Sequence, residues 1–560
     1  MVKKIKVLSM VLCLVISTIL GTTGCTTTTS DNEGANSEYA NREKKITMSY
    51  YLGGYGEEYM NAIAKDFMDN YDEDIYLEMK PYVDSANMRS LIQAGEDQGD
   101  IIQLSVDMFR NSAYLEELSE VLNMTALGED AIIKDKDVKN YEYYVEDYYV
   151  DGEKKTGVFQ MPSGNVSYYA FAVNETTLKE AFGGEEYTLP RTTDEFFDFG
   201  ETLLDKGVFL TSAAISDATG GGDYLTYLYK LWFAQLTGAE AYDKFCMGEV
   251  YNAQSGTWAL AEGTDMRILS DNKDEIIDAY SICDKLLRPE NMYLHSSSNE
   301  LDYLKNDIVF GGGGCGSNRA KTAFLFIGSW YEKEIEPLIE DGLIEPDQTY
   351  GIMRTPVASS LVEYLDYRNG GAYMSDDMLA AVIQTIDDGG TSYEGVSEKD
   401  FARIKEARKM AVSQISSDIV VPKIKDESKR EDIYKVLCYL ASDRAQKVAA
   451  EVVGGLNMLP FGADATTQDL GITPTNFVKE YNEFNGDPEN ILVDYSHINT
   501  IASQHLLHQW VYIPGGGRLS AYIYSTPSPQ TAEQMYDALY KNLSVNWPNY
   551  VKNYKTAMGM

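Results

Sequence analysis

The stretch ITMSYYLGGYGEEYMNAIAKDFMDNYDEDIYLEMKPYVDSANMRSLIQAGEDQGDIIQL, residues 46–104, decides the fold. Ile46 to Leu52 is β-prone, Gly53-Gly54-Tyr55-Gly56 makes a loop, and Met60, Ile63, Ala64, Phe67 and Met68 follow at helical spacing. Ile75, Leu77 and Met79 then alternate as in a strand, and Met88, Leu91 and Ile92 return to helical spacing. After Gly95, Asp100-Ile101-Ile102-Gln103-Leu104 reads as a third strand. The pattern is βαβαβ, which predicts a doubly wound α/β lobe binding its ligand beyond the carboxyl ends of the strands. The Gly53–Gly56 loop and Asp107 fall at those ends. The loop lacks the Gly-x-Gly-x-x-Gly spacing, and no acid stands where a ribose partner belongs, so a nucleotide is not expected there.

Working outward, Lys3, Lys4 and Lys6 precede an apolar run from Val7 to Leu20, too short to span a bilayer and consistent with an export signal. Gly21-Thr22-Thr23-Gly24 ends at Cys25 and resembles a lipobox, with Thr22 where Leu is usual. A leader over residues 1–24 and a lipidated Cys25 are therefore expected. Residues 25–45 are polar and too poor in apolar groups to order, which makes them a tether. Its typical reach is roughly 25 Å and its stretched limit about 70 Å.

The chain has 560 residues, so more than one hydrophobic core is expected. Lys and Arg number 47 against 87 Asp and Glu, a formal charge of −40 that excludes nucleic acid as a partner and favours a neutral solute over an anion. Cys246, Cys283, Cys315 and Cys438 are widely spaced without a Cys-x-x-Cys pair, so structural zinc is not expected, and spacing leaves their pairing open. His505 and His508 have the spacing of a metal pair, but no third ligand accompanies them. The run Gly311–Gly316 lacks the Gly-Lys-Ser/Thr of a phosphate loop. No cofactor, metal or catalytic group is implied.

Several segments, in order, resemble the extracellular solute-binding proteins of carbohydrate importers, the broad family that includes maltose-binding protein. They are Tyr50-Tyr51-Leu52-Gly53-Gly54-Tyr55, Gly99-Asp100-Ile101-Ile102-Gln103, Gly157-Val158-Phe159-Gln160-Met161-Pro162, Ala172-Val173-Asn174 and Leu189-Pro190-Arg191-Thr192-Thr193-Asp194-Glu195-Phe196. Phe326-Ile327-Gly328-Ser329-Trp330, Tyr350-Gly351-Ile352-Met353-Arg354-Thr355-Pro356 and Val436 to Gln446 continue the series. Thr192 and Glu195 also have capping-box spacing.

The resemblance implies a periplasmic-binding-protein-like α/β fold of two lobes, with an interlobe cleft and crossing hinge strands. By analogy, residues 46–165 and 346–445 form one lobe, and 170–345 and 446–560 the other. The extra Gly311–Gly316 loop and the long Leu361–Lys425 segment depart from the family pattern. The implied function is capture of a carbohydrate, an oligosaccharide, for an ABC importer permease, by a monomer held to the membrane only through its lipid and acting on the extracytoplasmic face.

In this family the region of Trp330 often supplies a sugar-stacking aromatic, which suits a pyranose with its apolar face and polar rim. Alternation allows at most one of Tyr50 and Tyr51 to face the cleft. The expected ligand set is Trp330, Tyr51, Gly54, Tyr55, Gln103, Asp107, Ser163, Asn165 and Arg354. A surface-anchored carbohydrate-active enzyme and a sugar sensor or adhesin stay open as alternatives.

Overall fold

The computed structural model describes residues 38–104, 111–136, 145–150, 153–162, 167–212, 224–293, 303–312, 320–414, 418–458, 471–493 and 530–557. Its principal strands, in chain order, are β1 (Lys44–Tyr51), β2 (Ile75–Tyr82), β3 (Ile101–Gln103), β4 (Met161–Pro162), β5 (Ala170–Asn174), β6 (Val208–Ser212), β7 (Lys321–Ile327), β8 (Tyr350–Met353) and β9 (Asp418–Val420). They form two separate sheets, ordered β2-β1-β3-β9-β4 and β8-β5-β7-β6.

The first sheet is built from the expected unit. β1 pairs in parallel with β2 and with β3, and helices α1 (Glu58–Asn70) and α2 (Ser85–Gln93) supply the crossovers. The apolar positions read from the sequence are the buried ones: Met60, Ile63, Phe67 and Met68 lie under α1, while Ile75, Leu77 and Met79 are the buried alternates of β2. Asp84 caps α2 by accepting the Asn87 N–H, a donor that would otherwise lack an intrahelical partner.

The second sheet runs β7 parallel to β6 and antiparallel to β5, with β8 on the far side of β5. Helix α3 (Thr193–Asp205) opens where the capping-box spacing places it. Thr192 accepts the Glu195 N–H, but the Glu195 carboxylate turns to the Arg191 backbone N–H and guanidinium, so the reciprocal half of the box belongs to Arg191.

The expected lobe division is corrected by the strand pairing. Tyr350–Met353, read as part of the return to the first lobe, is hydrogen-bonded along β5 in the second sheet. The residues after it stay there, because buried Trp232, on helix α4 (Tyr224–Thr237), donates its indole N–H to the Pro356 carbonyl and Gln235 accepts the Ala358 N–H. The long 361–425 segment contributes two helices, Asp376–Asp387 and Glu398–Lys409, the second packing on α4. The return to the first sheet comes after Gln414 instead, and β9 enters that sheet beside β3.

The first lobe keeps the chain to Val452. Helices Arg430–Leu440 and Asp443–Val452 pack on α1, and the buried Asp66 carboxylate accepts from Tyr439 Oη at 2.8 Å and Arg444 Nε at 3.1 Å. Helix Asn476–Asn485 then packs on β8, so the chain crosses a third time between Val452 and Asn476. The first two crossings pair with each other, Ser413 opposite Tyr168 and Gln414 opposite Ser167.

Candidate functional site

The two sheets present the ends that flank the crossings to one another. On the first sheet these are the carboxyl ends of β1, β2 and β3 and the start of β9. On the second they are the carboxyl ends of β6 and β7 and the start of β5. A strand's carboxyl end can carry a loop whose side chains are free of ladder pairing, which is why such edges collect ligand contacts.

Trp330 is the centre of the junction. It follows Gly328 and Ser329 at the exit of β7 and is only 7% exposed. Its indole lies against Gly328 in its own lobe and Gly54 in the other. A Cβ on Gly328 would stand 1.9 Å from Cζ3, and one on Gly54 would stand 2.6 Å from Cδ1. Tyr55 meets the indole edge-on, with centroids 6.2 Å apart at 83°, and its hydroxyl shares a 2.7 Å hydrogen bond with Ser329 Oγ across the junction.

Behind Trp330, Tyr169 on the first crossing meets the indole at 5.5 Å and 85°. Phe326 and Tyr227 stack on Tyr169 at 5.3 and 5.1 Å. Burial holds the Tyr169 phenol well above its ordinary pKa. The Trp330 indole N–H is hydrogen-bonded to the Glu334 carboxylate, one turn into the helix Tyr331–Glu340. Burial pushes that carboxyl up to about 7, against the lowering effect of the indole bond.

The remaining expected residues divide. Tyr51 is 37% exposed and edges against Tyr82, whereas Tyr50 is buried, so the two side chains lie on opposite faces of β1. Gln103 is buried at the end of β3, with its carbonyl accepting the Tyr82 hydroxyl and its side chain bonded to Tyr59, whose phenol burial raises to about 12. Gly54 and Tyr55 join Trp330.

Arg354 is engaged elsewhere. Its guanidinium donates to Asp487 at 2.6 Å and Asn490 at 2.8 Å and covers the Phe484 ring at 4.5 Å. Burial, then nearby Arg408, lowers its pKa to about 10.

Asp107, Ser163, Asn165, Cys25, Cys315, His505 and His508 lie outside the described residues. Cys246, Cys283 and Cys438 are buried. Among the described residues no cluster of His, Cys, Asp or Glu could hold a metal, and no helix is long and apolar enough to cross a membrane.

Sequence reasoning missed Tyr169, Ser329, Glu334 and Asp418, the last fully buried at the start of β9. Ser329 stands inside the motif that yielded Trp330, and Glu334 is one helical turn beyond it. No local signal distinguishes Tyr169 from its neighbour Tyr168.

No protein-family model matches the chain, and no curated protein matches it. Solved structures do. A chitin oligosaccharide binding protein matches with a TM-score of 0.54 at 14% identity, over 89% of this chain and 98% of that one. The apo form of RafE from Streptococcus pneumoniae matches at 0.53 and 13%, over 90% and 98%. RafE in complex with raffinose matches at 0.50 and 14%, over 89% and 99%. The chain has the two-lobed α/β fold of these solute-binding proteins.

Proposed function

We propose that this protein is an extracytoplasmic solute-binding protein that captures a carbohydrate, an oligosaccharide, between its lobes and passes it to an ABC importer permease without chemical change. The observation that carries the reading is the aromatic junction at the facing strand ends. Trp330, Tyr55 and Tyr51 offer rings, and Ser329 and Gln103 stand at the same edges with hydrogen-bonding groups. An apolar plate with a few polar groups matches a pyranose face and its hydroxyl rim. Asp107, Ser163 and Asn165, on segments that continue from β3 and β4, complete the proposed set, while Arg354 would join it only by releasing Asp487. The structural neighbours named for chitin oligosaccharide and raffinose lend the solute class.

Lobes joined by crossing segments close by a hinge, and a solute that touches both lobes favours the closed form. Cys25, lipidated after removal of residues 1–24, would hold the protein at the membrane while the 25–45 tether lets the body turn toward its permease.

Titration calorimetry against a panel of oligosaccharides tests the reading. A glycan should bind and be recovered intact, and Trp330→Ala should weaken it by about 2 kcal/mol or more, roughly thirtyfold in Kd. Binding by another solute class alone, or repeated turnover of a bound glycan, overturns it. Cys25→Ala should release the mature protein from the membrane fraction, and unchanged partitioning would remove the anchor.

A further inference from the structure

Among the described residues, the neighbours of the Trp330 ring carbons are two glycines and two aromatic rings. Gly328 lies against Cζ3, Cη2 and Cε3, Gly54 against Cδ1 and Cγ, and Tyr55 and Tyr169 meet the indole edge-on. Dispersion contacts of this kind are not directional, and the second side-chain torsion of Trp is broad and roughly two-fold. They hold the ring in its plane but distinguish it from its flipped counterpart less sharply than a hydrogen bond, which is directional. The indole N–H goes to the Glu334 carboxyl, and Glu334 also donates its backbone N–H to the Trp330 carbonyl at 2.9 Å. Residues four apart share a helix face and side chains lean toward the helix N-terminus, so a carboxyl in the first turn of Tyr331–Glu340 reaches back to residue 330.

We propose that Glu334 is a positioning residue for solute capture: from one helical turn away its carboxyl oxygen holds the Trp330 N–H, and so sets which way round the indole faces before solute arrives. The neighbouring carboxyls of this helix are engaged elsewhere, Glu332 with the Thr475 hydroxyl and Glu336 with Lys333. Setting the ring in advance raises affinity, because the rotamer that binds is already the populated one. The same helical turn thus supplies both the proposed platform and the group that orients it.

The use of the ring in capture rests on the carbohydrate reading, whereas its seat does not, so one arm of the test needs no sugar. Fluorine NMR of the ligand-free protein labelled with 5-fluorotryptophan follows its five Trp, and Trp330→Phe identifies the Trp330 resonance. Glu334→Ala should shift or split that resonance, Glu334→Gln, which keeps an oxygen acceptor, should restore it, and Glu336→Ala should leave it in place. In the second arm, calorimetry with the glycan that the parent binds should show Kd rising about fivefold in Glu334→Ala, the worth of one net hydrogen bond. Glu334→Gln should stay within about twofold of the parent. A parental Trp330 resonance in Glu334→Ala, equal displacement in Glu334→Ala and Glu334→Gln, or a displaced resonance with unchanged Kd overturns the proposal. If no glycan binds the parent while the resonances behave as expected, the carbohydrate reading fails and the seat of the ring stands. Should Glu334→Ala fail to fold, Glu334→Met, which keeps the chain length without the oxygens, takes its place under the same expectations.

Discussion

Gly328→Ala tests the placement of the indole inside its own lobe. The added methyl would stand 1.9 Å from Cζ3, 2.3 Å from Cη2 and 2.5 Å from Cε3 of Trp330. Carbon atoms pack at about 3.5–4.0 Å, so the ring must retreat by roughly 1.5–2 Å. Tyr169 and Gly54 both pack on the indole, so the retreat disturbs packed groups. Overpacking of this kind costs about 1–3 kcal/mol. Removing the ring first changes the outcome: in a Trp330→Ala background the methyl meets no indole, and the same substitution should be neutral or gain a few tenths of a kcal/mol from the stiffer unfolded chain. The double-mutant cycle should therefore show a coupling of about 1–3 kcal/mol, read from urea midpoints by circular dichroism. Equal destabilisation in both backgrounds would show that the indole does not lie over Gly328.

Two further outcomes follow from the titratable groups. The Glu334 carboxyl, raised to about 7 by burial, keeps in the native state a proton that the unfolded chain releases near its ordinary pKa of about 4.3. Stability contributed by this group should thus be present below about pH 4.3 and fall as pH rises toward 7, and Glu334→Gln should flatten that slope in urea midpoints between pH 5 and 8. Arg354→Ala leaves Asp487 with Lys409 as its other cation and should cost about 1–3 kcal/mol in a partly shielded pair. Glycan affinity should change less than twofold, and a large loss of affinity at an unchanged melting temperature would return Arg354 to the site.

The first lobe was readable because its information is local. Met60, Ile63, Phe67 and Met68 repeat at the helical period and Ile75, Leu77 and Met79 at the strand period, and both periods report which face is buried. Tyr350–Met353 was readable as an extended segment but not as a member of the second sheet. Its partner β5 lies far earlier in the chain, and a four-residue strand carries no mark of its neighbour. The placement depends on Trp232 and Gln235 holding the residues that follow, contacts that sequence spacing cannot reveal. Trp330 was legible from the Gly-Ser turn before it, but its seat was not, because that seat requires Gly54 and Tyr55 from the other lobe. Arg354 shows the converse. A charged residue just beyond a strand suggests a ligand contact, and only the fold brings Asp487 and Asn490 to it.

The position of the rings relative to the crossings explains how such a junction can be both closed and releasable. Tyr169 is tied to the second crossing by its N–H to the Val412 carbonyl at 2.9 Å, and it edges Trp330, so the hinge and the indole belong to one packed group. Rotation about the paired crossings can leave that group intact while Gly54 and Tyr55, on the other lobe, part from it. Among the described residues Tyr55 is held there by one hydrogen bond, worth about 1 kcal/mol net, and one edge-on ring pair, worth about 0.5–1.5 kcal/mol. A ligand bound at micromolar strength supplies about 8 kcal/mol, several times as much, so contacts of the proposed solute with both lobes, and not this one, would set how far the lobes close.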